Sequence, residues 1–206
     1  MRIVCLSDTH SHHAKLEVPD GDVLVHAGDF TGRGERHEIL EFHRWLETLP
    51  HQHKLVIAGN HDWMFENDPE QARGLLNACT YLQDSGVTVD GIKFWGSPWQ
   101  PWFYDWAFNL QRGPALAAKW ALIPTDTDVL VTHGPPFGIL DMTARGEPAG
   151  CHELACELAR VRPRLHVFGH IHEAYGQLKR NGTTFVNACN CTLQYQPDNP
   201  AIVIDL

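Results

Sequence analysis

The chain has 206 residues and a formal net charge of −9, with 43% hydrophobic and 20% charged residues. These values are typical of a folded globular protein, and we expect residues 1–206 to form one domain. The negative charge argues against stable binding of nucleic acid, which needs clustered Lys and Arg. No stretch approaches the roughly 18 apolar residues of a transmembrane helix, so we expect no contact with a membrane.

The N-terminal apolar run Arg2–Leu6 is too short for an export signal. We therefore expect a cytoplasmic protein whose six cysteines are reduced. None of these cysteines forms a CxxC pair, which argues against a structural zinc site. The sequence leaves the oligomeric state open.

Short apolar runs rich in strand-forming residues recur along the chain, and each stops at a cluster of Gly, Asp, Asn or His. Such runs predict strands over 2–6, 22–27, 54–58, 128–132, 164–168 and 201–204. Apolar residues at helical spacing predict helices over 35–49 and 151–161. Asp90-Gly91 and Asn181-Gly182 are typical of two-residue hairpin turns. The alternation of strands and helices favours an α/β domain in which helices cover mixed sheets.

Five polar clusters stand where apolar strands end, and sites in α/β sheets form outside the carboxyl ends of strands. The clusters are Asp8-x-His10, Gly28-Asp29, Gly59-Asn60-His61-Asp62, Thr132-His133-Gly134 and Gly169-His170-x-His172. Their carboxylate, amide and imidazole groups suit Mn, Fe, Zn, Co or Ni. The glycines that precede Asp29, Asn60 and His170 allow sharp turns and a close approach of the backbone.

Taken in order, these clusters resemble the pattern DxH, GDxx, GNH[DE], H and GHxH of the calcineurin-like metallophosphoesterase superfamily. A single block of this kind is weak evidence, whereas five in order form a specific signature. Four further segments narrow the resemblance to the metallophosphoesterase-domain-containing phosphodiesterases. They are Gly96–Phe103, Thr132–Pro136, Val161–Gly169 and Gln196–Pro200. The resemblance implies a four-layer α/β/β/α sandwich with a dinuclear metal site at the carboxyl ends of strands.

The resemblance also implies how two divalent cations are held, with Mn²⁺ as the preferred metal. The ligands of the first ion would be Asp8, His10, Asp29 and His172, and those of the second Asp29, Asn60, His133 and His170. Asp29 would bridge the two ions, which activate a bridging hydroxide for attack on phosphorus. Some animal relatives have Gly at the position of His170, so the histidine here favours a complete second site.

His61 is implied to contact the substrate and to protonate the leaving oxygen, so the expected catalytic residues are His61, Asn60 and Asp29. Some superfamily members have a second Asp, in a GDxxD pattern, that orients this histidine. Gly32 occupies that position here, and the sequence identifies no partner for His61.

The implied activity is hydrolysis of small phosphodiesters, cyclic nucleotides among them. A phosphomonoesterase would use the same metal centre, so the ligands do not separate the two activities. A non-catalytic scaffold is disfavoured because every ligand position is filled, and a nuclease because of the negative charge. The aromatic run over 95–108 either lines a nucleobase site or covers the sheet, with Trp102 and Phe103 the best candidates for the site. Arg145 either contacts a phosphate or is a solvated loop residue.

Overall fold

The computed structural model describes residues 1–206, which form thirteen strands and five α-helices. The strands are β1 (Arg2–Leu6), β2 (Val23–His26), β3 (His53–Val56), β4 (Thr80–Tyr81), β5 (Ser85–Val89), β6 (Ile92–Ser97), β7 (Gln100–Pro101), β8 (Asn109–Leu110), β9 (Val129–Thr132), β10 (Leu165–Phe168), β11 (Gly176–Arg180), β12 (Thr183–Asn187) and β13 (Ile202–Asp205). The helices are α1 (Arg36–Thr48), α2 (Met64–Asn67), α3 (Pro69–Leu75), α4 (Pro114–Trp120) and α5 (His152–Val161).

Two large mixed sheets pack face to face, with helices on both outer faces. The first sheet has the spatial order β13-β1-β2-β3-β4, and the second has the order β11-β12-β10-β9-β6-β5. One buried apolar cluster joins the inner faces of the two sheets. A second cluster packs α1, α2 and α3 on the first sheet, and a third packs α4 and α5 on the second. The expected four-layer α/β/β/α sandwich is confirmed.

Strand β1 illustrates why the central strands are continuous apolar runs. Ile3 and Cys5 point into the core between the sheets, whereas Val4 and Leu6 point toward the helices. All four side chains are fully buried. Because a strand alternates its side chains between two covered faces, every position has to be apolar.

The predicted strands and both predicted helices are present, with ends that differ by at most two residues. Both hairpins are present as well, and their turn residues Asp90-Gly91 and Asn181-Gly182 have the positive φ angles of a type I′ turn. The short helices α2, α3 and α4 were not predicted, because a helix of four to seven residues is too short to show a clear period. None of the helices has the length and apolar character that a membrane span requires.

The sheet topology brings the polar clusters to one edge. Strands β1, β2 and β3 are mutually parallel, as are β9 and β10, so their carboxyl ends point the same way within each sheet. An isolated parallel bridge between Ser7 and Cys189 ties the end of β1 to the segment after β12. The two sheets therefore meet at the edge where the polar loops emerge.

Buried His166, in β10, gives the fold a pH-dependent stability. The Thr132 hydroxyl donates to the Gly134 carbonyl at 2.8 Å, so His166 Nε2, 2.8 Å from Thr132 Oγ1, is the donor in that contact. Burial lowers the pKa of His166 from 6.5 to about 3. Between these values the unfolded chain binds a proton that the folded chain does not, so stability falls as the pH drops below 6.5.

Replacing His166 with Gln is expected to remove up to about 1.4 kcal/mol per pH unit from the slope of unfolding free energy against pH. The reason is that Gln does not titrate. The measurement is urea unfolding in the presence of a chelator at several pH values between 4 and 6.5, inside the window set by the lowered pKa. Equal slopes for the variant and the parent protein would contradict the prediction.

Candidate metal centre

The loops that follow the parallel strands present the predicted ligands at one point. Four of these residues have a left-handed backbone: Asp8 (φ 52°), His10 (φ 41°), Asp29 (φ 54°) and His170 (φ 68°). Asp and His enter this region more readily than most residues, but it still costs energy. Such strain persists only where the surroundings hold it, and it is concentrated at functional sites.

Asp8, His10 and His172 form the first group of candidate ligand atoms. Asp8 Oδ1 lies 3.3 Å from His172 Nε2 and 3.9 Å from His10 Nε2. The two Nε2 atoms are 3.3 Å apart. A carboxylate oxygen and two imidazole nitrogens thus converge in a largely buried space, which is an arrangement that a divalent cation stabilises when it displaces the imidazole protons.

The other oxygen of Asp8 is fully occupied by hydrogen bonds. Asp8 Oδ2 accepts from Ser7 Oγ at 2.6 Å, from the His170 backbone N–H at 2.9 Å and from Cys189 Sγ at 3.2 Å. Oδ1, by contrast, is buried and accepts from none of these donors, and His172 Nε2 lies 3.3 Å from it. The contacts therefore hold the carboxylate so that Oδ1 is directed toward the imidazoles.

Asp29 joins the first group to a second one. Its Oδ2 lies 3.9 Å from His10 Nε2 and 3.5 Å from His133 Nε2, while its Oδ1 accepts from the His61 backbone N–H at 2.8 Å. Asn60 Oδ1 lies 2.9 Å from the same His133 nitrogen. The carboxylate is thus in contact with both groups, as a bridging ligand has to be.

Backbone carbonyls orient two of the imidazoles. His133 Nδ1 lies 2.9 Å from the Ala27 carbonyl oxygen, and His172 Nδ1 lies 3.0 Å from that of Thr192. A carbonyl only accepts, so each Nδ1 is the protonated donor and each Nε2 faces the cluster. This is the usual way in which proteins orient histidine ligands.

Charge pairing dominates the protonation of the cluster. Burial alone would raise the pKa of Asp29, but the neighbouring charge of His133 holds that pKa well below its ordinary value. Burial opposes the ionised form of Asp8 in the same way, and the hydrogen bond from His172 lowers the pKa of Asp8. Against the opposing effect of burial, Asp29 raises the pKa of His133 to about 9 and Asp8 raises that of His172 to about 9. A divalent ion would displace those imidazole protons, because metal ligands are deprotonated.

The donor set fits divalent metals. Three overlapping groups have ligand atoms within 4.8 Å of one another: Asp8, His10 and His172; His10, Asp29 and His61; and Asp8, Asp29 and His133. Carboxylate and imidazole ligands without thiolate suit Mn, Fe, Zn, Co or Ni. His170 lies outside these groups, at 5.0 Å from His133 between ring centroids. Its role as a ligand of the second ion stays a prediction.

His61 has the partner that the sequence did not identify. Its Nδ1 lies 2.7 Å from the carbonyl oxygen of Gly32. Its ring stacks on Trp106, with centroids 4.4 Å apart, and meets His10 edge-on at 4.6 Å. The backbone of Gly32 thus contacts the ring at the sequence position where some relatives place a carboxylate.

Two glycines allow the loops to come this close. A Cβ on Gly169 would overlap the carboxylate of Asp8, and one on Gly28 would lie 2.7 Å from the Ala58 carbonyl oxygen and from His133 Nδ1. Gly28 also has a φ of +99°, which L side chains rarely adopt. The expected close approach of the backbone before Asp29 and His170 is present.

The residue pattern assigns no role to Asp62, although this residue stands in one of the polar clusters. Its buried carboxylate accepts from the backbone N–H groups of Asp29, Thr31 and Gly59 at 2.8–3.0 Å and from Thr31 Oγ1 at 2.6 Å. Burial and the nearby charge of Asp29 raise the pKa of Asp62 to about 7. Asp62 therefore connects the loop of Asp29 to the loop of Asn60.

A cavity of about 370 Å³ opens above the cluster. Trp102 and Phe103 form one side of it, which we call the aromatic wall, and Tyr195 contributes from the C-terminal segment. Trp102 is 55% exposed. The expectation that these two residues of the aromatic run leave the core is confirmed. Arg145 is exposed and does not line the cavity, whereas Arg112 does.

Three of the remaining aromatic residues of the run belong to the core, while Tyr104 is 70% exposed and Trp106 stacks on His61. Phe108 is fully buried, with Trp99 packed against it, and Trp95 packs on the helices of the second sheet. Tyr195, in contrast, lies with its ring 4.7 Å from that of His10 and 5.5 Å from that of His172. It is far from the polar clusters in sequence, and no motif marked it.

This fold and this cluster are those of a metal-dependent phosphoesterase. A sequence profile of the calcineurin-like phosphoesterase family matches residues 1–174, and the chain belongs to that family. Members of the family depend on a dinuclear metal centre, and the structure contains candidate ligand groups for one. The activity established by family membership is hydrolysis of phosphoesters.

Similar proteins place the chain within the family. Human metallophosphoesterase domain-containing protein 1 is 50% identical over 230 residues, an alignment that spans 100% of this chain and 71% of the relative. The Caenorhabditis elegans UPF0046 protein K07C11.7 is 42% identical over 98% of this chain and 74% of its own length. The resemblance to metallophosphoesterase-domain-containing proteins is confirmed.

Solved structures agree on the fold. One crystal structure has a TM-score of 0.67 at 16% identity and covers 90% of this chain and 89% of its own. An archaeal protein described as a phosphodiesterase has a TM-score of 0.50 at 16% identity, with 100% of both chains covered. At this level of identity, the likeness concerns the fold alone.

Proposed function

We propose that this chain is a metal-dependent phosphodiesterase that hydrolyses small phosphodiesters, with cyclic nucleotides as the first substrate class to test. The observation that carries the proposal is the buried cluster of carboxylate and imidazole groups on the floor of an aromatic-lined cavity. The cavity volume of about 370 Å³ lies within the range of small-molecule sites. Family membership supports the hydrolysis of phosphoesters, and the residues of the cavity walls support a diester as the substrate.

The predicted ligands would hold two divalent ions. Those of the first are Asp8, His10, Asp29 and His172, and those of the second are Asp29, Asn60, His133 and His170. When bound, the ions supply Lewis-acid activation of water and of the phosphoryl oxygens. Mn²⁺ is the first metal to test, because oxygen and imidazole ligands suit it, and Fe, Zn, Co and Ni are compatible with the same donors.

Three side chains have roles in the proposed reaction beyond the holding of metal. Asp29 is in contact with both ligand groups and contributes a single negative charge. Asn60 supplies a neutral oxygen, which keeps the floor of the cavity favourable for an anion. His61 lines the cavity, and its Nδ1–H donates to the Gly32 carbonyl, so in the doubly protonated ring the Nε2–H is the proton available to the leaving oxygen.

The charge of the walls favours a diester over a monoester. Arg112 is the sole Lys or Arg of the lining, and its guanidinium donates to the carbonyl oxygens of Gly150 at 2.9 Å and Ala149 at 3.1 Å. Glu173 adds a carboxylate to the same lining. A phosphomonoester dianion would meet no further cation there. A diester carries one charge, and its second organic group can contact the aromatic wall, where a nucleobase would stack.

The test compares diesters with a monoester on protein that has been stripped with a chelator and reloaded with one metal at a time. With Mn²⁺, we expect kcat/KM for bis(p-nitrophenyl) phosphate to exceed that for p-nitrophenyl phosphate by about tenfold or more, with measurable hydrolysis of cyclic AMP. The chelated protein should be inactive. Cleavage of the monoester alone by the reloaded protein would show that the diesterase proposal is wrong.

A further inference from the structure

His61 is oriented by the backbone carbonyl of Gly32 rather than by a side chain, so its orientation depends on what holds the backbone of Gly32 in place. The carbonyl of Gly32, 2.7 Å from His61 Nδ1, lies in the loop between β2 and α1. We propose that Glu38 is a positioning residue, which holds the Gly32 carbonyl against His61 Nδ1 and so presents His61 Nε2 to the leaving oxygen. This inference rests on the proposed function, in which His61 protonates that oxygen.

Glu38 binds the loop through four donors. Its Oε1 accepts from the Gly32 backbone N–H at 2.9 Å and from Ser11 Oγ at 3.2 Å. Its Oε2 accepts from the backbone N–H groups of Arg33 at 3.1 Å and Glu35 at 2.9 Å. Burial opposes the charge of this half-buried carboxylate, but the backbone N–H donors outweigh it and lower the pKa of Glu38. It therefore acts as a charged acceptor, which strengthens each bond.

The bond to Arg33 controls the Gly32 carbonyl directly. The Gly32 C=O and the Arg33 N–H belong to one planar trans peptide unit, so they point in opposite directions. Glu38 binds the N–H on one side of that unit, and His61 Nδ1 meets the C=O on the other side. Rotation of the peptide plane would break both contacts, which couples the carboxylate to the imidazole.

A purely structural role would be the capping of helix α1. Glu35 is the N-cap residue and Glu38 the third residue of the helix, and the two form a reciprocal capping box. The capping box explains the bond to the Glu35 N–H. It does not explain the bonds to Gly32, Arg33 and Ser11, which all lie outside the helix.

Gly32 offers a second way to disturb the same link. A Cβ added to Gly32 would lie 2.9 Å from Glu38 Oε1, so an alanine side chain would press on the carboxylate. The φ angle of Gly32 is not positive, so the backbone itself tolerates alanine. Glu38→Ala and Gly32→Ala therefore act on one contact from opposite sides.

The chemical consequence depends on the leaving group. As hydroxide, formed when a water molecule loses a proton to solvent, adds to phosphorus and the P–O bond breaks, the electron pair of that bond stays on the leaving oxygen. This oxygen takes the Nε2 proton of the doubly protonated His61 ring, whose Nδ1–H stays on the Gly32 carbonyl. The p-nitrophenolate ion is stable without that proton, whereas the ribose alkoxide of a cyclic nucleotide is not. A displaced His61 should therefore slow cyclic AMP hydrolysis far more than hydrolysis of bis(p-nitrophenyl) phosphate.

The kinetic test uses both variants with Glu41→Ala as the matched control, since Glu41 is an exposed residue of the same helix with no hydrogen bond from its side chain. For Glu38→Ala and Gly32→Ala we expect kcat for cyclic AMP to fall by about 10²-fold, with kcat for the aryl diester changed only a few-fold. Glu41→Ala should match the parent protein on both substrates. Equal losses on the two substrates would overturn the inference.

The structural test needs no activity. Long-range ¹H–¹⁵N NMR of the chelated parent protein should show His61 as a single Nδ1–H tautomer, and Glu38→Ala should show a mixture. An unchanged tautomer in a folded Glu38→Ala variant would overturn the positioning role. If Glu38→Ala does not fold, as judged by thermal unfolding, the same readouts are taken on Gly32→Ala. Failure of the parent protein to cleave any phosphoester would remove the proposed function, and the tautomer would still decide whether Glu38 orients the ring.

Discussion

Replacing Asp29 with alanine is expected to abolish phosphoester hydrolysis and to release metal from both halves of the candidate centre. The Asp29 carboxylate lies 3.9 Å from His10 Nε2 and 3.5 Å from His133 Nε2, so it is in contact with both ligand groups. Its loss would also leave the His61 backbone N–H without an acceptor. We expect kcat/KM to fall by about 10³-fold or more, because the Lewis-acid contribution of the metals is lost as a whole.

The measurement combines elemental analysis of the reloaded protein with kinetics on bis(p-nitrophenyl) phosphate. Asp20→Ala is a suitable control, since Asp20 is an exposed carboxylate outside the cluster. The parent protein and the control should each retain close to two metal ions per chain, as the two ligand groups require. A variant of Asp29 that kept both ions and full activity would exclude its bridging role.

Replacing Asp62 with alanine is expected to cause a large loss of stability. The substitution would leave three buried backbone N–H groups without their acceptor and would remove the shorter of the two hydrogen bonds that the Thr31 hydroxyl donates. Each buried unsatisfied donor costs about 1–3 kcal/mol, so the free energy of unfolding should fall by about 4 kcal/mol or more. That is a large fraction of the roughly 5–15 kcal/mol by which a domain is stable.

Urea unfolding in the presence of chelator measures this loss without a contribution from metal binding. Asp68→Ala provides the comparison, because Asp68 is an exposed N-cap residue that accepts from the Gln71 N–H. Loss of such a cap costs about 1 kcal/mol. If Asp62→Ala cost no more than Asp68→Ala, the carboxylate would not be the link between the loops of Asp29 and Asn60.

Much of the architecture follows from local patterns. Each central strand is buried on both faces, so its sequence is an apolar run. Each strand ends where the sequence becomes polar. Type I′ turns require positive φ angles, which is why Asp90-Gly91 and Asn181-Gly182 predicted both hairpins. Helices α2–α4 were missed because they contain too few turns for a hydrophobic period.

In the candidate site too, some features follow from the sequence and others depend on the tertiary structure. The residue types that bind metals stand in short motifs, so the sequence by itself determined the set of Asp, Asn and His side chains and their place at strand ends. Tertiary structure decided their contacts: Asp29 with both groups, and His61 with the carbonyl of Gly32. Every residue has a backbone carbonyl, so no sequence motif can identify the one that contacts His61. The sequence likewise does not predict the contacts of Glu38 and Tyr195. Those contacts depend on which distant loops the two sheets bring to one edge.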